Sequence, residues 1–258
     1  MLLEGRTVVV AGVGPGLGRA IALKASEEGA AVALVSRGRA YVEALVEELA
    51  GLDRRAVAVQ ADLTSPHACA RVAATATDEL GGIDAVVYNA FHGGSEATAE
   101  DADLTDWRAS MEVNAFGALE IVRACLGSLK QRTGSIVLIN SRQIRRLGQP
   151  RGGYAMSKAA LFMAGQVLAK ELGPYGIRVN TVVSGWMWGP AVAEYFATAS
   201  KANGKTVEEQ YHEVAGSLAL RRIATPEEVA EAVIFLASTK ASAITGQSLD
   251  VNAGESFH

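Results

Sequence analysis

Tyr154 and Lys158 stand four positions apart in GGYAMSKAAL, a stretch that otherwise reads as plain helix. Residues i and i+4 are neighbours on a helix surface and lean the same way, so both polar heads can meet one bound molecule. A phenol ordinarily titrates near 10, but a neighbouring ammonium favours the phenolate and brings the group toward the range of a working acid or base. The chemistry implied is the movement of one proton to or from a substrate atom. Surface decoration is the competing reading, and the pair alone does not decide between them.

A second cluster lies near the amino terminus, where AGVGPGLGRAIAL places glycines at 12, 14, 16 and 18 just before a helix opens. Glycine allows positive φ and close approach of backbone to a ligand, and free N–H groups at a helix start favour an anion such as a pyrophosphate. The spacing is G-x-x-x-G-x-G through Gly12, Gly16 and Gly18; Gly14 and Leu17 fall inside the same turn, and all five are candidate cofactor contacts. Tight packing of strand on helix would also explain such a turn. Beyond the second apolar run, ALVSRGRA ends in Ser36 and Arg37, with Arg39 following. An acidic residue there would accept bonds from a free ribose 2′-hydroxyl, whereas Ser36 and Arg37 suit a 2′-phosphate, so NADP(H) is preferred and NAD(H) is the alternative. Asp62, followed by Leu63 in QADLT, is placed to accept a bond from an adenine amino group; a turn or N-cap role competes.

These residues need a scaffold, and the chain supplies one by alternation. Short apolar runs (TVVVAG, AAVALVS, AVAVQAD, IDAVVYNA, GSIVLINS, GIRVNTVV and QSLDVN) are separated by stretches with helical periodicity that end near glycine. Parallel strands need crossover connections, so the pattern predicts an α/β fold: one doubly wound parallel sheet of about seven strands with helices on both faces. The 258 residues, 49% of them hydrophobic, suit a single domain over 1–258. Residues 184–216, rich in Gly, Trp and Ala, read as an irregular region too long for a connection, and a substrate lid is expected there. A formal net charge of −4 gives no basic field for nucleic acid. No apolar run is long enough to span a bilayer and no leader pattern precedes the first strand, so the expected location is cytoplasmic with no membrane partner. Cys69 and Cys125 fit no redox or metal spacing, nor do His67, His92, His212 and His258; reduced cysteines and no metal are expected.

With the glycine turn at one end and the Tyr/Lys pair at the other, the sequence resembles the short-chain dehydrogenase/reductase family over essentially its full length. The family's glycine turn corresponds to Gly12, Gly16 and Gly18, with Ala11 where a threonine is usual; its Y-x-x-x-K corresponds to Tyr154 and Lys158. Its catalytic serine, thirteen positions before the tyrosine, falls on Ser141, and its active-site asparagine on Asn114 in MEVNAFG. The resemblance implies a Rossmann-type fold and hydride transfer between a nicotinamide cofactor and a ketone or secondary alcohol. It implies Tyr154 as proton donor or acceptor, Lys158 lowering the phenol pKa and holding the nicotinamide ribose, and Ser141 bonding the substrate oxygen. Asn114 would anchor a water on the proton path. Single members also have plain structural readings: Ser141 as a turn cap, Asn114 as a partner for helix backbone.

Departures from the family pattern are local. Its N-N-A-G reads YNAF here: Asn89 and Ala90 remain as cofactor contacts, Tyr88 replaces the first asparagine, and Phe91 the glycine. The usual P-G after the sixth strand reads Ser184-Gly185, and Trp188 stands where a threonine often meets the carboxamide; backbone of Gly185 and Met187 is expected to take over that contact. Phe91, Trp186 and Trp188, with Tyr195 and Phe196, are candidates to line a substrate pocket for a mainly apolar ketone or alcohol, alongside Ser141 and Gln143. Arg142, Arg145, Arg146 and Arg151 crowd the segment between serine and tyrosine, either to attract an anion or to face solvent or a neighbouring subunit. An enoyl reductase of the same broad family would place its lysine about seven positions after the tyrosine, where this chain has Leu161. A sugar-nucleotide epimerase should be longer. A catalytically silent dinucleotide sensor would tolerate loss of Tyr154, Lys158 or Ser141, all of which are present. The last helix and strand, TPEEVAEAVIFLASTKASAITGQSLDVN, commonly help build tetramers in the family, and a homotetramer is expected, with a dimer as the alternative.

Overall fold

The computed structural model describes residues 1–148 and 150–257; His258, one of the four histidines, lies outside them. Seven strands form one parallel sheet: β1 (Thr7–Ala11), β2 (Ala31–Ser36), β3 (Ala56–Gln60), β4 (Ala85–Tyr88), β5 (Ser135–Ser141), β6 (Arg178–Ser184) and β7 (Ser248–Val251), in the order β3-β2-β1-β4-β5-β6-β7. Each of the seven apolar runs predicted to be a strand is one. The central strands are buried on both faces, which is why they read as continuous rather than alternating hydrophobic runs.

Period-two alternation divides their side chains between two cores. Val9, Ala33, Val86 and Ile136 pack on one face with α3 (Pro66–Leu80), α5 (Gly117–Arg132) and α6 (Gly152–Leu172). Val8, Val10, Leu34 and Val87 pack on the other with α1 (Leu17–Glu27), α2 (Arg39–Ala50) and α9 (Pro226–Ala237). Each fully buried Leu or Ile contributes about 1.5–3 kcal/mol relative to exposure. Local signals set the helix ends: Ser65 caps α3 by accepting from Ala68 N, Pro66 opens it, and Gly81 closes it at φ 88°.

The region 184–216, read as irregular, is largely helical: α7 (Pro190–Asn203) and α8 (Val207–Ser217) follow a short bridge between Met187 and Ala224. Pro190 at the first position of α7 and a capping box of Thr206 and Glu209 on α8 explain why. The helix α4 (Leu104–Met111), capped by Asp103, runs into one wide π turn, Glu112–Phe116, before α5 begins.

Strand order reverses between β1 and β4, so the crevice beyond their carboxyl ends is where an open α/β sheet takes a ligand. Gly12 follows β1 there, Asn89 follows β4, and Ser141 ends β5 in register with Ser184 of β6. No helix among the described residues is long and apolar enough to cross a membrane.

Candidate active site

The glycine turn separates into two kinds of position. A Cβ on Gly12, whose φ is +101°, would stand 2.2 Å from Ala90 N, and one on Gly18 would stand 2.5 Å from the Gly12 carbonyl. Both are required by the packing of the turn against β4 and α1. Gly14 and Gly16 would meet nothing within 4 Å. Their missing side chains leave a clear approach to backbone at the start of α1, the shape a pyrophosphate needs. Asn89 fixes the turn by donating from Nδ2 to the Gly12 carbonyl at 2.7 Å, while Asn89 N and Ala90 N bond the Ala11 carbonyl.

At the end of β2, Ser36 Oγ accepts from Gly38 N at 3.3 Å, and Arg37 is exposed with its carbonyl held by Gln60. Arg39 is committed to Glu43. Asp62 Oδ1 accepts from both Thr64 N and Thr64 Oγ1, and these bonds hold its carboxyl below the usual range. The turn role weighed for Asp62 is therefore real, and its second oxygen is not engaged by these bonds. Open backbone at Gly14 and Gly16, a cation at Arg37 and an acid at Asp62 line one side of the crevice and fit a dinucleotide.

Asn114 sits in the π turn, fully buried. Its Oδ1 accepts from His92 N at 2.6 Å, and its Nδ2 donates to the His92 carbonyl at 2.9 Å and to Ser157 Oγ at 2.8 Å. Ser157 Oγ donates in turn to the Tyr154 carbonyl at 2.7 Å, joining Asn114 to the first turns of α6. Tyr154 and Lys158 lie one turn apart on α6, as their spacing predicted, with the ammonium 5.8 Å from the phenol ring centre. The Ser141 hydroxyl lies close enough to the Tyr154 phenol to favour its ionised form. Phe91 meets the same ring edge-on at 6.5 Å and is otherwise exposed.

The electrostatics differ from the expected picture in one respect. Burial pushes the Tyr154 phenol up; the Ser141 hydroxyl opposes this first, then the Arg151 and Arg142 guanidinium groups. Lys158, expected to lower the phenol, is not among these influences. It is 3% exposed, burial pulls it down to about 7, and its Nζ donates to the Ile139 carbonyl at 2.9 Å. An amine so desolvated gives up much of the charge that was to act on the phenol.

Three of the four clustered arginines are already paired: Arg142 with Glu255 at 2.8 Å, Arg145 with Asp250 at 3.4 Å, and Arg151 with Glu96. The aromatic residues of 186–211 pack mainly on one another. Trp186 lies against Tyr195 and Phe196, while Trp188 lies against Phe196 and edge-on to Tyr211 at 4.8 Å. Trp186 also carries the Arg142 guanidinium 5.7 Å above its ring and so faces the serine end of the site. Gln143 is buried and accepts from Gly148 N at 3.3 Å. A Cβ on Gly185 would stand 2.2 Å from Glu255 Oε2 and 2.9 Å from Asn252 Cβ, so a larger residue there would displace the Glu255 carboxylate; Met187 lies at the bridge to Ala224.

Asn140, Ser157 and Glu255 were missed. Asn140 is 2% exposed, accepts from Ser141 N and donates to the Lys158 carbonyl at 3.0 Å, so it sets the serine strand against the lysine helix. A polar residue within the apolar run SIVLINS was the available signal. Among the described residues no group of three His, Cys, Asp or Glu is placed to hold a metal.

Comparison with known proteins agrees with this geometry. A family model described as enoyl-(acyl carrier protein) reductase matches residues 12–256. An L-rhamnose 1-dehydrogenase (NAD(P)(+)) from Sphingomonas sp. is 30% identical over 260 residues, covering 98% of this chain and 97% of that protein. A 3-oxoacyl-(acyl-carrier-protein) reductase from Thermotoga maritima is 30% identical over 261 residues, covering 98% and 99%. The crystal structure of L-sorbose reductase from Gluconobacter frateurii, complexed with NADPH and L-sorbose, superposes with a TM-score of 0.93 at 27% identity over 99% of this chain and 98% of that one. The chain belongs to the short-chain dehydrogenase/reductase family, the NAD(P)-dependent oxidoreductases of alcohols and carbonyls.

Proposed function

We propose that this chain reduces a mainly apolar ketone, or oxidises the corresponding secondary alcohol, with NADP(H) preferred over NAD(H). The observation that carries the reading is the convergence on Tyr154 of the Ser141 hydroxyl, which acts on its phenol, and of Lys158, whose Nζ lies 5.8 Å from its ring one turn along α6. A bound nicotinamide cofactor supplies or accepts the hydride; Gly12, Gly14, Gly16, Leu17, Gly18, Ser36, Arg37, Asp62, Leu63, Asn89, Ala90, Gly185 and Met187 would hold it. Tyr154 gives its proton to the substrate oxygen in reduction or takes it in oxidation. Ser141 donates to the same oxygen and steadies its developing charge. Lys158 would hold the ribose hydroxyls of the bound cofactor with its Nζ, and Asn114 would anchor a water on the path that replaces the spent proton. Phe91 and Trp186 offer the apolar contact.

Position 161 argues against reduction of an enoyl double bond with a lysine at that spacing, because the residue there is Leu161, wholly buried in the hydrophobic core. A polyhydroxylated substrate is a second reading, favoured by the buried Arg142–Glu255 pair beside Trp186 and by the likeness to the L-sorbose reductase. The same reading includes a homotetramer, supported by apolar side chains left exposed on the last helix and strand, Phe235 and Leu249, and on α6, Met163 and Val167. Its compartment is taken as the cytoplasm, where the buried Cys69 and Cys125 stay reduced.

The test is NADPH oxidation over a panel of cyclic, aromatic and polyol-derived ketones, run on the parent and on Tyr154→Phe. Turnover that falls by about 10²–10⁴ in the variant, with cofactor binding within twofold, supports the assignment. Equal turnover in both would exclude Tyr154 as the proton donor; cofactor binding with no turnover on any ketone would point to a dinucleotide sensor. Light scattering that finds only monomer would remove the tetramer.

A further inference from the structure

Tyr88 ends β4 where it pairs with Ala11 of β1 and Leu138 of β5, at the centre of the sheet, and it is wholly buried. A phenol at the end of an interior strand needs a partner for its hydroxyl. It has one: Tyr88 Oη donates to the Val113 carbonyl, inside the π turn and one residue before Asn114. A π turn departs from the regular i→i−4 ladder and is held by what surrounds it. Burial raises the Tyr88 pKa, which keeps the group a neutral donor. Space for the hydroxyl exists because residue 117 is glycine; a Cβ there would stand 2.7 Å from Tyr88 Oη.

We infer that Tyr88 is a positioning residue that holds the π turn open and so sets Asn114 against His92 and Ser157. The inference rests on the reading of Asn114 as part of the active site. The next residue on the same strand end, Asn89, holds the glycine turn through the Gly12 carbonyl. Two adjacent side chains at the end of β4, Tyr88 and the residue that follows it, therefore tie the glycine turn and the Asn114 turn to one point. Side chains that fill a wall only by packing would leave the Val113 carbonyl without this donor.

The full-length chain with Tyr88→Phe keeps the ring and loses only the hydroxyl. Hydrogen exchange of the amides in 112–117 should accelerate about tenfold, that of β5 should not change, and kcat should fall five- to twentyfold with KM and cofactor Kd within twofold. Gly117→Ala, which drives a methyl against the hydroxyl, should lower kcat alike. Combining it with Tyr88→Phe should be no worse than either variant alone, since the clashing atom is gone. Parental exchange at 112–117 together with parental kcat in Tyr88→Phe would overturn the inference; if that variant does not accumulate as folded protein, a Gly117→Ala enzyme with parental exchange and kcat would do so. Parental turnover of Asn114→Ala would instead overturn the reading of Asn114, and the two failures are separable because exchange at 112–117 is read without catalysis.

Discussion

Arg142 Nε lies 2.8 Å from Glu255 Oε1, joining the residue after Ser141 to the last turn of the chain through side chains only 18% and 9% exposed. Glu255 Oε2 also accepts from Trp186 N at 3.2 Å, so one carboxylate gathers the end of β5, the segment after β6 and the segment after β7. Burial raises the Glu255 pKa and Arg142 opposes that rise. Removing the guanidinium in Arg142→Met leaves a buried carboxylate without its main countercharge, and the variant should lose about 1.5–3 kcal/mol at pH 8. A carboxyl whose folded pKa is raised stabilises the fold in its protonated form, and that contribution is lost as pH rises through the raised value. The variant raises it further, so its deficit in thermal unfolding should be small at pH 4 and widen toward pH 8. A deficit independent of pH would show that the pair is not what Arg142 supplies.

Gly12 and Gly16 have the same side chain for different reasons, and alanine separates them. At Gly12, φ of +101° and a Cβ 2.2 Å from Ala90 N mean that Gly12→Ala must move the end of β4. It should cost more than about 2 kcal/mol of stability. At Gly16 the added methyl meets no protein atom. Gly16→Ala should unfold within about 1 kcal/mol of the parent, the scale of an N-cap change, yet bind NADPH at least tenfold more weakly in a fluorescence titration. Unimpaired binding by Gly16→Ala would move the cofactor away from this turn.

Much of this arrangement was legible because its signals are local. Apolar runs gave the seven strands, and i,i+4 spacing put Tyr154 and Lys158 on one face of α6. Residues 184–216 were misread as irregular because their aromatic and glycine content hid the capping box of Thr206 and Glu209, which makes α8 a helix. What pairing does to charge was not legible: the arginine run between Ser141 and Tyr154 reads as an anion site until Glu255, Asp250 and Glu96 arrive from distant segments. The same holds for Lys158, whose charge is governed by desolvation, a property of the packed fold rather than of its neighbours in sequence. Tyr88 looked like a mere departure from the family pattern, since its partner lies twenty-five residues away.

The proposed preference for NADP(H) turns on Arg37. It is exposed at the end of β2, and Arg39, the other basic residue there, is occupied by Glu43. Arg37→Ala should weaken NADPH binding roughly 10–100-fold, the worth of one or two charge-assisted bonds to phosphate, and leave NADH within about threefold. Equal loss for both cofactors would mean that Arg37 does not read the 2′-phosphate.

Lys158 should make the unliganded protein more stable as the solution becomes alkaline. Burial pulls its pKa from the ordinary lysine value of 10.5 down to about 7 in the fold. Between those values the unfolded chain holds a proton that the folded chain has released, so stability rises with pH across that window; below about 7 the fold carries the full cost of a buried ammonium. Lys158→Met removes the cost and also the bond to the Ile139 carbonyl, a loss that does not titrate. The unfolding temperature of the variant minus that of the parent should therefore be most positive at pH 6 and decline steadily toward pH 10, while turnover is lost at every pH. A difference that is flat over this range would show that Lys158 keeps its ordinary pKa in the fold, and its full charge would then have to be counted again as an influence on the Tyr154 phenol.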